Sequence, residues 1–187
     1  MRIRLIVLLM LLATLVSAQT MWENALPLRQ GVNIEWSRAT ATADDGGIVY
    51  VWSDTKYGGR DLFAMKFDEL GNSQWGEEPL IIDNKIDRQE DPVIIKTSDG
   101  GFVIGWVDFS LDQDGDVFAQ KVSNDGTLLW QEGGVPVCTF QDIQISLNIV
   151  ENNVGGAYLL WRDSRNPSID LYAVNLDGNG NNLWDVD

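Results

Sequence analysis

The order of hydrophobic and polar positions repeats roughly every 54 residues along this chain. In each copy a pair of glycines precedes an apolar run that ends in a tryptophan, and an aspartate follows two residues later. A second aspartate begins the next apolar run, and a second tryptophan comes 14 residues after it. So many aromatic and acidic positions in register predict three copies of one structural unit. These positions are Trp52, Asp54, Asp61 and Trp75 in the first copy, Trp106, Asp108, Asp116 and Trp130 in the second, and Trp161, Asp163, Asp170 and Trp184 in the third.

Each copy is expected to form four antiparallel strands. First strands are predicted over 38–43, 92–97 and 147–152, each ended by a polar turn and the glycine pair. The second strands, such as 48–52 and 157–161, are continuously apolar, which indicates that both faces of the sheet are covered. Third strands begin at the second aspartate, and a glycine turn leads to a fourth strand predicted around the second tryptophan. The short connections favour an antiparallel meander.

The predicted fold is all-β: tandem four-stranded antiparallel blades that form a partial β-propeller of about three blades. No segment after the first 18 residues shows a sustained helical period. A solenoid of stacked sheets is the alternative. The three units are expected over 37–84, 85–139 and 140–187, the third being truncated.

The segment 19–36 is predicted to contain a stray outer strand. Its stretch from Trp22 to Pro27 resembles the stretches that follow Trp75 and Trp130. Three blades cannot surround an axis without splaying their faces, because propellers need four to eight blades. The sequence therefore predicts a fragment of a longer protein, or a chain that pairs with another copy to cover its open edges.

Residues 1–18 have the pattern of a secretory signal peptide. Arg2 and Arg4 precede an apolar stretch, and Val16 and Ala18 occupy the −3 and −1 positions of a cleavage site after Ala18. The stretch is too short for a comfortable membrane span, and no second hydrophobic segment follows. We therefore expect a secreted, extracellular or cell-surface protein; an uncleaved anchor is the alternative.

The charge and the residue types exclude several classes of function. The chain has 13 Lys and Arg, 28 Asp and Glu, and no His. Nucleic acid is not an expected partner, because binding to phosphates needs clustered cations. The lack of His excludes Ser-His and Cys-His catalysis and histidine-ligated zinc. Cys138 has no second cysteine to pair with. We predict that it is a small buried hydrophobic residue, equivalent to Ile81 of the preceding copy; the alternative is a reactive or intermolecular thiol.

These motifs resemble a known family. The order Gly-Gly, apolar run, Trp-x-Asp-x-Arg, Asp-apolar-Tyr/Phe-Ala, Gly, Leu-Trp, Gly-x-Pro-Val is similar to the propeller-type repeats of large secreted bacterial proteins, many with a C-terminal sorting domain for type IX export. The resemblance covers about residues 22–187. It implies an extracellular or cell-surface β-propeller, usually without an assigned activity. Arg165 keeps the basic position and Lys56 nearly matches it, Ser110 replaces it in the middle copy, and no sorting domain is present.

The repeated aspartates could suggest acid–base pairs of the glycosidase kind. However, they recur in every copy, whereas a propeller active site combines different residues from different blades. We therefore predict that each pair brackets the turn between the second and third strands, accepts backbone N–H bonds, and pairs with Lys56 or Arg165. The alternative is a fragment of a sialidase-like, carbohydrate-active hydrolase. Its catalytic residues would lie mostly outside this chain, because the chain has no arginine triad and no Ser-x-Asp-x-Gly-x-Thr-Trp box.

Two loops could hold calcium. Asp112, Asp114 and Asp116 place three carboxylates within five residues of the middle copy, where the other copies differ. The loop 177–181 has similar oxygen spacing, but it coincides with the repeated hairpin turn, where Asp, Asn and Gly are expected anyway. The first loop is the better candidate, and no other cofactor is indicated.

The sequence favours a non-catalytic propeller module for extracellular binding or scaffolding, whose partner is an unknown extracellular protein or glycan. No catalytic or cofactor-binding residue is assigned. The predicted partner surface is the rim that carries the loops 55–60, 109–115 and 164–169, because loops carry most binding functions and these differ most between the copies.

Overall fold

The structure is a computed structural model that describes residues 35–184, with side chains from Ser37 onward. Within this part of the chain there are eleven β-strands and no helix, which confirms the all-β prediction. The strands are β1 (Glu35–Thr42), β2 (Ile48–Asp54), β3 (Asp61–Phe67), β4 (Leu80–Asp83), β5 (Gln89–Lys96), β6 (Phe102–Asp108), β7 (Asp116–Val122), β8 (Val135–Cys138), β9 (Gln144–Glu151), β10 (Ala157–Asp163) and β11 (Asp170–Leu176).

The strands form three antiparallel sheets in chain order. Strands β1–β4 form the first sheet, β5–β8 the second, and β9–β11 the third; we call these sheets blades 1, 2 and 3. Each strand pairs with its neighbour in sequence, so every sheet is the meander that the short connections predict. Within the described residues blade 3 has three strands.

Blade 2 is covered on both faces, as its apolar runs predict. Every residue of β6 and β7 is buried. Phe102 and Trp106 contribute to an apolar cluster shared with blade 1, whereas Val103 and Val117 contribute to a second cluster shared with blade 3. Because successive side chains of a strand point to opposite faces, the two clusters confirm that the blades stack face to face.

The first strands begin three residues before their predicted starts. Each contains a bulge, where the register shifts between Glu35 and Arg38 in blade 1 and between Glu90 and Val93 in blade 2. Asp91, inside the second bulge, has a φ of 50°, which a non-glycine residue adopts infrequently. The bulge interrupts the alternation of side chains along the strand. The sequence pattern therefore predicted only the part of each first strand that follows the bulge.

The fourth strands lie several residues beyond their predicted positions. Trp75 and Trp130 sit in the connections before β4 and β8, not within those strands. Each indole N–H instead donates to a carbonyl of the following blade: Trp75 Nε1 to Asn124 O at 3.0 Å, and Trp130 Nε1 to Gly178 O at 3.1 Å. The second tryptophan therefore connects one blade to the next.

A lysine on the third strand makes a similar link between blades. Lys66 Nζ lies 2.6 Å from Asn124 Oδ1 of blade 2, and Lys121 Nζ lies 2.6 Å from Gly155 O of blade 3. Both lysines are buried, and each also pairs with an aspartate of the β1–β2 or β5–β6 turn. These charge-assisted bonds add direction to an otherwise apolar interface.

The predicted signal peptide 1–18, its cleavage after Ala18, and the stretch from Trp22 to Pro27 lie outside the described residues. In residues 35–184 there is no helix of the length and apolarity needed to cross a membrane.

Candidate functional site

One end of the blades carries the loops that the sequence singled out. The β2–β3, β6–β7 and β10–β11 hairpin loops lie beside the connections between blades. Gln89 N donates to Arg60 O at 2.7 Å, and Phe109 N donates to Arg88 O at 3.0 Å. In blade 3, Ser164 N donates to Ile143 O at 3.1 Å. We call this end the hairpin rim.

The first aspartate of each repeated pair ends the second strand at this rim and is completely buried. Asp54, Asp108 and Asp163 are each 0% exposed. One carboxylate oxygen of each accepts a backbone N–H two residues later, at 2.7, 2.7 and 2.9 Å. In blades 1 and 3 the other oxygen accepts the indole N–H of the tryptophan two residues earlier, at 2.9 Å in both. These aspartates therefore organise the hairpin, as the sequence predicted.

The cations that accompany these aspartates differ from blade to blade. Arg165 donates to both oxygens of Asp163, at 2.9 and 2.5 Å, in agreement with the predicted pairing. Lys56 pairs with Glu78 at 2.8 Å, so the predicted pairing of its side chain with an aspartate of the hairpin is wrong; only its backbone amide binds Asp54.

Blade 2 has Ser110 at the basic position and receives its cation from elsewhere. Lys85, in the β4–β5 connection, lies 2.7 Å from Asp108 and 2.5 Å from Asp83. Its ammonium also donates to Gly133 O at 2.8 Å and lies 4.0 Å from the centre of the Phe118 ring. One partly exposed lysine thus neutralises two buried carboxylates from neighbouring blades.

The two carboxylates bound by Lys85 have different affinities for a proton. Burial raises the pKa of Asp83 to about 6, and the nearby charge of Asp108 adds to this effect. Burial also opposes ionisation of Asp108, but the hydrogen bonds from Lys85 and Ser110 outweigh it and hold its pKa below the usual value. Of these two carboxylates, Asp83 therefore takes up a proton more readily.

The second aspartate of each pair lies directly opposite the first in the strand register. Asp61 and Asp116 are buried, and in each the Oδ2 atom has no hydrogen-bond partner. Burial raises the pKa of both groups, that of Asp116 to about 6 with a contribution from Asp112 and Asp108. Asp170 is more exposed and accepts hydrogen bonds from Asn166 and Ser168.

The three predicted calcium ligands, Asp112, Asp114 and Asp116, have different surroundings in the structure. Asp112 Oδ1 accepts the backbone N–H groups of Asp114 and Gly115, at 2.9 and 3.1 Å, and so closes the turn. Asp114 is exposed, whereas Asp116 is buried at the start of β7. Among the described side chains, no group of three His, Cys, Asp or Glu is arranged to hold a metal ion. Calcium binding by this loop stays a prediction.

The second proposed calcium loop forms a hairpin turn. Asp177 Oδ1 accepts the backbone N–H groups of Asn179 and Asn181, at 2.8 and 2.9 Å. Asp68 in blade 1 binds Leu70 and Asn72 in the same way. The aspartate oxygen that a cation would use is already an acceptor for the turn.

Cys138 occupies a different repeat position from the predicted one. It pairs with Val117 in the strand register, and Asp83 pairs with the corresponding Leu62, so the equivalent of Cys138 is Asp83 and not Ile81. The thiol is partly buried, Arg165 Nη2 lies 3.0 Å from Sγ, and burial raises its pKa. A raised pKa reduces the thiolate fraction, which fits a packed thiol better than a reactive one.

A cleft of about 780 Å³ opens at the hairpin rim between the β2–β3 loop and the β4–β5 connection. Two loop residues stand out: the Tyr57 ring is 56% exposed, and Asp61 is the buried carboxylate with an unpartnered oxygen. The basic residues of the cleft are all ion-paired: Arg60 and Arg88 with Glu90, and Lys85 with the two aspartates. The cleft is therefore lined by a buried carboxylate and an exposed aromatic side chain, and it has little uncompensated positive charge.

Sequence reasoning anticipated one wall of this cleft, the loop 55–60, and missed the other. Asn84, Lys85, Ile86 and Arg88 belong to the β4–β5 connection, which carries no repeated motif. The available signal was Ser110: a repeat that lacks its basic residue beside a buried aspartate must receive a cation from another segment.

Comparisons with known proteins concern the fold. No protein-family model and no curated protein matches the chain. Among solved structures, an α-L-arabinanase of Penicillium chrysogenum, in complex with arabinobiose, is similar at a TM-score of 0.52 and 13% identity over 82% of this chain and 50% of that chain. A putative glycoside hydrolase from Parabacteroides distasonis has 17% identity over 80% and 52% of the two chains, with a TM-score of 0.48. An endo-arabinase from Bacteroides thetaiotaomicron has 13% identity over 80% of this chain and 62% of that chain, with a TM-score of 0.46.

The first of these similarities, with the three stacked meanders, defines the chain as part of a β-propeller. The chain spans about half the length of the first of these structures. At this level of identity the similarity establishes the architecture, while the chemistry must come from the residues of the chain itself.

Proposed function

We propose that this chain is a secreted, non-catalytic β-propeller module that binds a neutral glycan at the hairpin rim. The observation that carries the proposal is the cleft beside blade 1, which the Asp61 carboxylate lines. Its Oδ2 atom is buried and has no hydrogen-bond donor, so it becomes an acceptor for a ligand when the β2–β3 loop shifts to uncover it. A buried acceptor without a partner is costly, and a ligand hydroxyl that donates to it removes this cost.

The other groups of the cleft fit the same class of ligand. A sugar ring has an apolar face and a hydroxyl rim, which match an exposed aromatic ring beside a carboxylate. Tyr57 supplies the ring, held at 5.8 Å from the Phe63 ring. Because Arg60, Arg88 and Lys85 already have acidic partners, an anionic ligand would have to displace an existing ion pair.

The experiment is a titration of the folded chain with neutral oligosaccharides, arabino-oligosaccharides among them, followed by calorimetry. We expect binding that Asp61→Asn and Tyr57→Ala each weaken about tenfold or more, the loss expected for one hydrogen bond to a charged group or one aromatic contact. Asp116→Asn is the matched control, since Asp116 is the equivalent carboxylate of blade 2 and does not line the cleft. The proposal fails if none of the saccharides binds, or if Asp61→Asn binds as well as the unaltered protein.

A second candidate function is glycoside hydrolysis. Asp83 and Asp108 favour it, because two carboxylates with pKa values moved in opposite directions are the arrangement that acid–base catalysis uses. Their shared bond to Lys85 and their burial instead fit a structural role. Release of reducing ends from arabinan, abolished by Asp83→Asn, would replace our proposal; we expect no release.

A further inference from the structure

Blade 2 has a buried indole N–H group that lacks an acceptor. Trp106 is fully buried, and its Nε1 atom has no hydrogen-bond partner. In blades 1 and 3 the equivalent indoles, those of Trp52 and Trp161, donate at 2.9 Å to the aspartate two residues later. A buried donor without a partner costs free energy, so the exception in blade 2 needs a physical cause.

The position of the Trp106 ring is not that cause. The ring centre lies 6.2 Å from that of Phe118 on the neighbouring strand, at an interplanar angle of 27°. In blades 1 and 3 the corresponding distances are 5.9 and 6.3 Å, and the angles are 27° and 22°. The three indoles therefore have nearly the same pose, and blade 2 differs in the environment of its acceptor, Asp108.

Asp108 is bound by Lys85 instead. Its Oδ2 atom, the counterpart of the oxygen that accepts the indole N–H in blades 1 and 3, lies 2.7 Å from the Lys85 ammonium, which also binds Asp83. One ammonium thus lies between two buried carboxylates, so one negative charge is in excess when both are ionised. In blade 3 an uncharged thiol, that of Cys138, occupies the position of Asp83, and no such excess arises.

Asp83 can exchange a proton with the solvent, because it lines a cavity of about 400 Å³. The charged groups that face it are Lys85 from the β4–β5 connection, Asp108 from β6 and the exposed Glu132 from the β7–β8 connection. Its register partner on β3 is the apolar Leu62. Burial, together with the nearby charge of Asp108, raises the pKa of Asp83 to about 6. Asp83 therefore changes its charge near this pH.

We propose that the junction of blades 1 and 2 is a proton switch, in which a proton on Asp83 allows Asp108 to turn from Lys85 to the Trp106 indole. With Asp83 protonated, the group has the same charge as its blade 3 counterpart, in which the indole bond is formed. The neutral carboxyl is also a weaker acceptor for the Lys85 backbone N–H, which donates to Asp83 Oδ1 at 3.1 Å.

The switch acts on one wall of the cleft. Lys85 belongs to the β4–β5 connection, which lines the cleft opposite the β2–β3 loop. When Asp83 takes up a proton, this connection loses part of its attachment to blade 1, so the wall loosens as the pH falls through about 6. The effect on a bound ligand rests on the proposed function, whereas the switch itself does not.

The test follows the indole N–H resonances of the full chain by nitrogen-15 NMR between about pH 5 and 7.5. We expect the assigned Trp106 signal to move downfield in one transition near pH 6 as its N–H gains an acceptor. The Trp161 signal stays in place, because that indole is already bound to Asp163, whose pKa is lowered to about 2. Protection of the Lys85 amide from hydrogen exchange falls roughly tenfold as the pH decreases over the same range. None of these measurements requires a ligand.

Two variants and a matched control separate the switch from a general effect of pH. Asp83→Asn leaves position 83 uncharged and Lys85→Met removes the cation, so both show the low-pH Trp106 signal at every pH. Asp116→Asn removes another carboxyl whose pKa is raised to about 6, and it leaves the transition unchanged.

A Trp106 signal that does not move over this pH range overturns the proposal. So does a transition that persists in Asp83→Asn, one that disappears in Asp116→Asn, or a Lys85→Met variant whose signal keeps its neutral-pH position. Unchanged protection of the Lys85 amide overturns the link between the switch and the wall of the cleft.

Discussion

Blades 2 and 3 both neutralise a buried aspartate at the end of their second strand, but they use different residues to do so. In blade 3 the cation is Arg165, two residues after Asp163 in the same hairpin. In blade 2 it is Lys85, which reaches Asp108 from the connection that precedes the blade. Both cations lie at the same place in the repeat. Lys85 also contacts Asp83, and Arg165 also contacts Cys138, which is the equivalent residue of the preceding blade's last strand.

The difference shows that the repeat maintains the place of a positive charge and not the residue that supplies it. Residue 85 has Phe140 as its counterpart before blade 3, and Arg165 lies 4.5 Å from the centre of that ring. The pair Lys85 and Ser110 at blade 2 thus corresponds to the pair Phe140 and Arg165 at blade 3. Arg165 faces one carboxylate, whereas Lys85 faces two, so the two blades should respond differently when the cation is removed.

The largest expected effect is the loss of the shared cation. Lys85→Ala leaves Asp83 and Asp108 buried close together, and we expect a loss of about 3 kcal/mol in the free energy of unfolding, as for other broken buried ion pairs. Arg165→Ala should cost less, about 2 kcal/mol, because Asp163 keeps its bonds to the Trp161 indole and to a backbone amide. Urea unfolding measures both values.

Lys56→Ala is the control for these substitutions, since its partner Glu78 is 81% exposed and surface ion pairs contribute little to stability. Equal losses for Lys85→Ala and Arg165→Ala would show that the second carboxylate bound by Lys85, Asp83 of blade 1, does not matter.

A smaller effect is expected when the arrangement of blade 3 is transferred to blade 2. Lys85→Phe alone removes the cation, and addition of Ser110→Arg restores a positive charge in the position of Arg165. We expect the double variant to recover about 1–2 kcal/mol relative to Lys85→Phe, the size of coupling found between contacting residues. A double-mutant cycle by urea unfolding measures the coupling. Additive losses would mean that the two blades are not interchangeable at this site.

The smallest expected effect concerns pH. Asp83 has a folded-state pKa raised to about 6 from an ordinary value of 3.8, so the folded chain binds this proton more tightly than the unfolded chain. Its contribution to stability is complete below about pH 4 and is lost as the pH rises through 6. Asp163 behaves oppositely, because its hydrogen bonds outweigh the effect of burial and lower its pKa to about 2. Its contribution to stability is therefore lost as the pH falls from about 4 towards 2.

Melting temperatures between pH 4.5 and 7 test this contrast. The free energy of unfolding should fall as the pH rises across that range, and we expect Asp83→Asn to reduce this fall by about 1 kcal/mol. Part of the fall should persist in the variant, because the pKa of Asp116 is also raised to about 6. An Asp83→Asn profile parallel to that of the unaltered protein would contradict the assignment.

The sequence predicted the parts of the fold that depend on local pattern. The apolar runs between the glycine pairs and Trp52, Trp106 and Trp161 are the second strands, and the strands that begin at Asp61 and Asp116 are the third. The structural role of Asp54 and its counterparts was also predicted, because a residue repeated in every copy cannot serve one asymmetric site.

The features that the sequence did not predict depend on contacts between distant residues. The bulges before Pro92 and Leu147 place Asp91 and Ser146 at φ values of 50° and 58°, which neither residue type requires. The fourth strands were misplaced because each has only four residues, and the nearby tryptophan packs on another blade. Lys85 meets Asp108 across 23 residues of sequence, so only the stacked blades bring the two together.

The bonds from Trp75 and Trp130 to the following blade have a consequence for how such chains can lengthen. Blade 2 carries both its own donor, Trp130, and the glycine turn that receives Trp75, in the same β7–β8 connection, and blades 1 and 2 are fitted to their successors in the same way. A duplicated unit inserted between blades 1 and 2 would find both partners it needs without any compensating substitution. Chains of this type can therefore gain or lose whole units while the contacts within each unit stay unchanged.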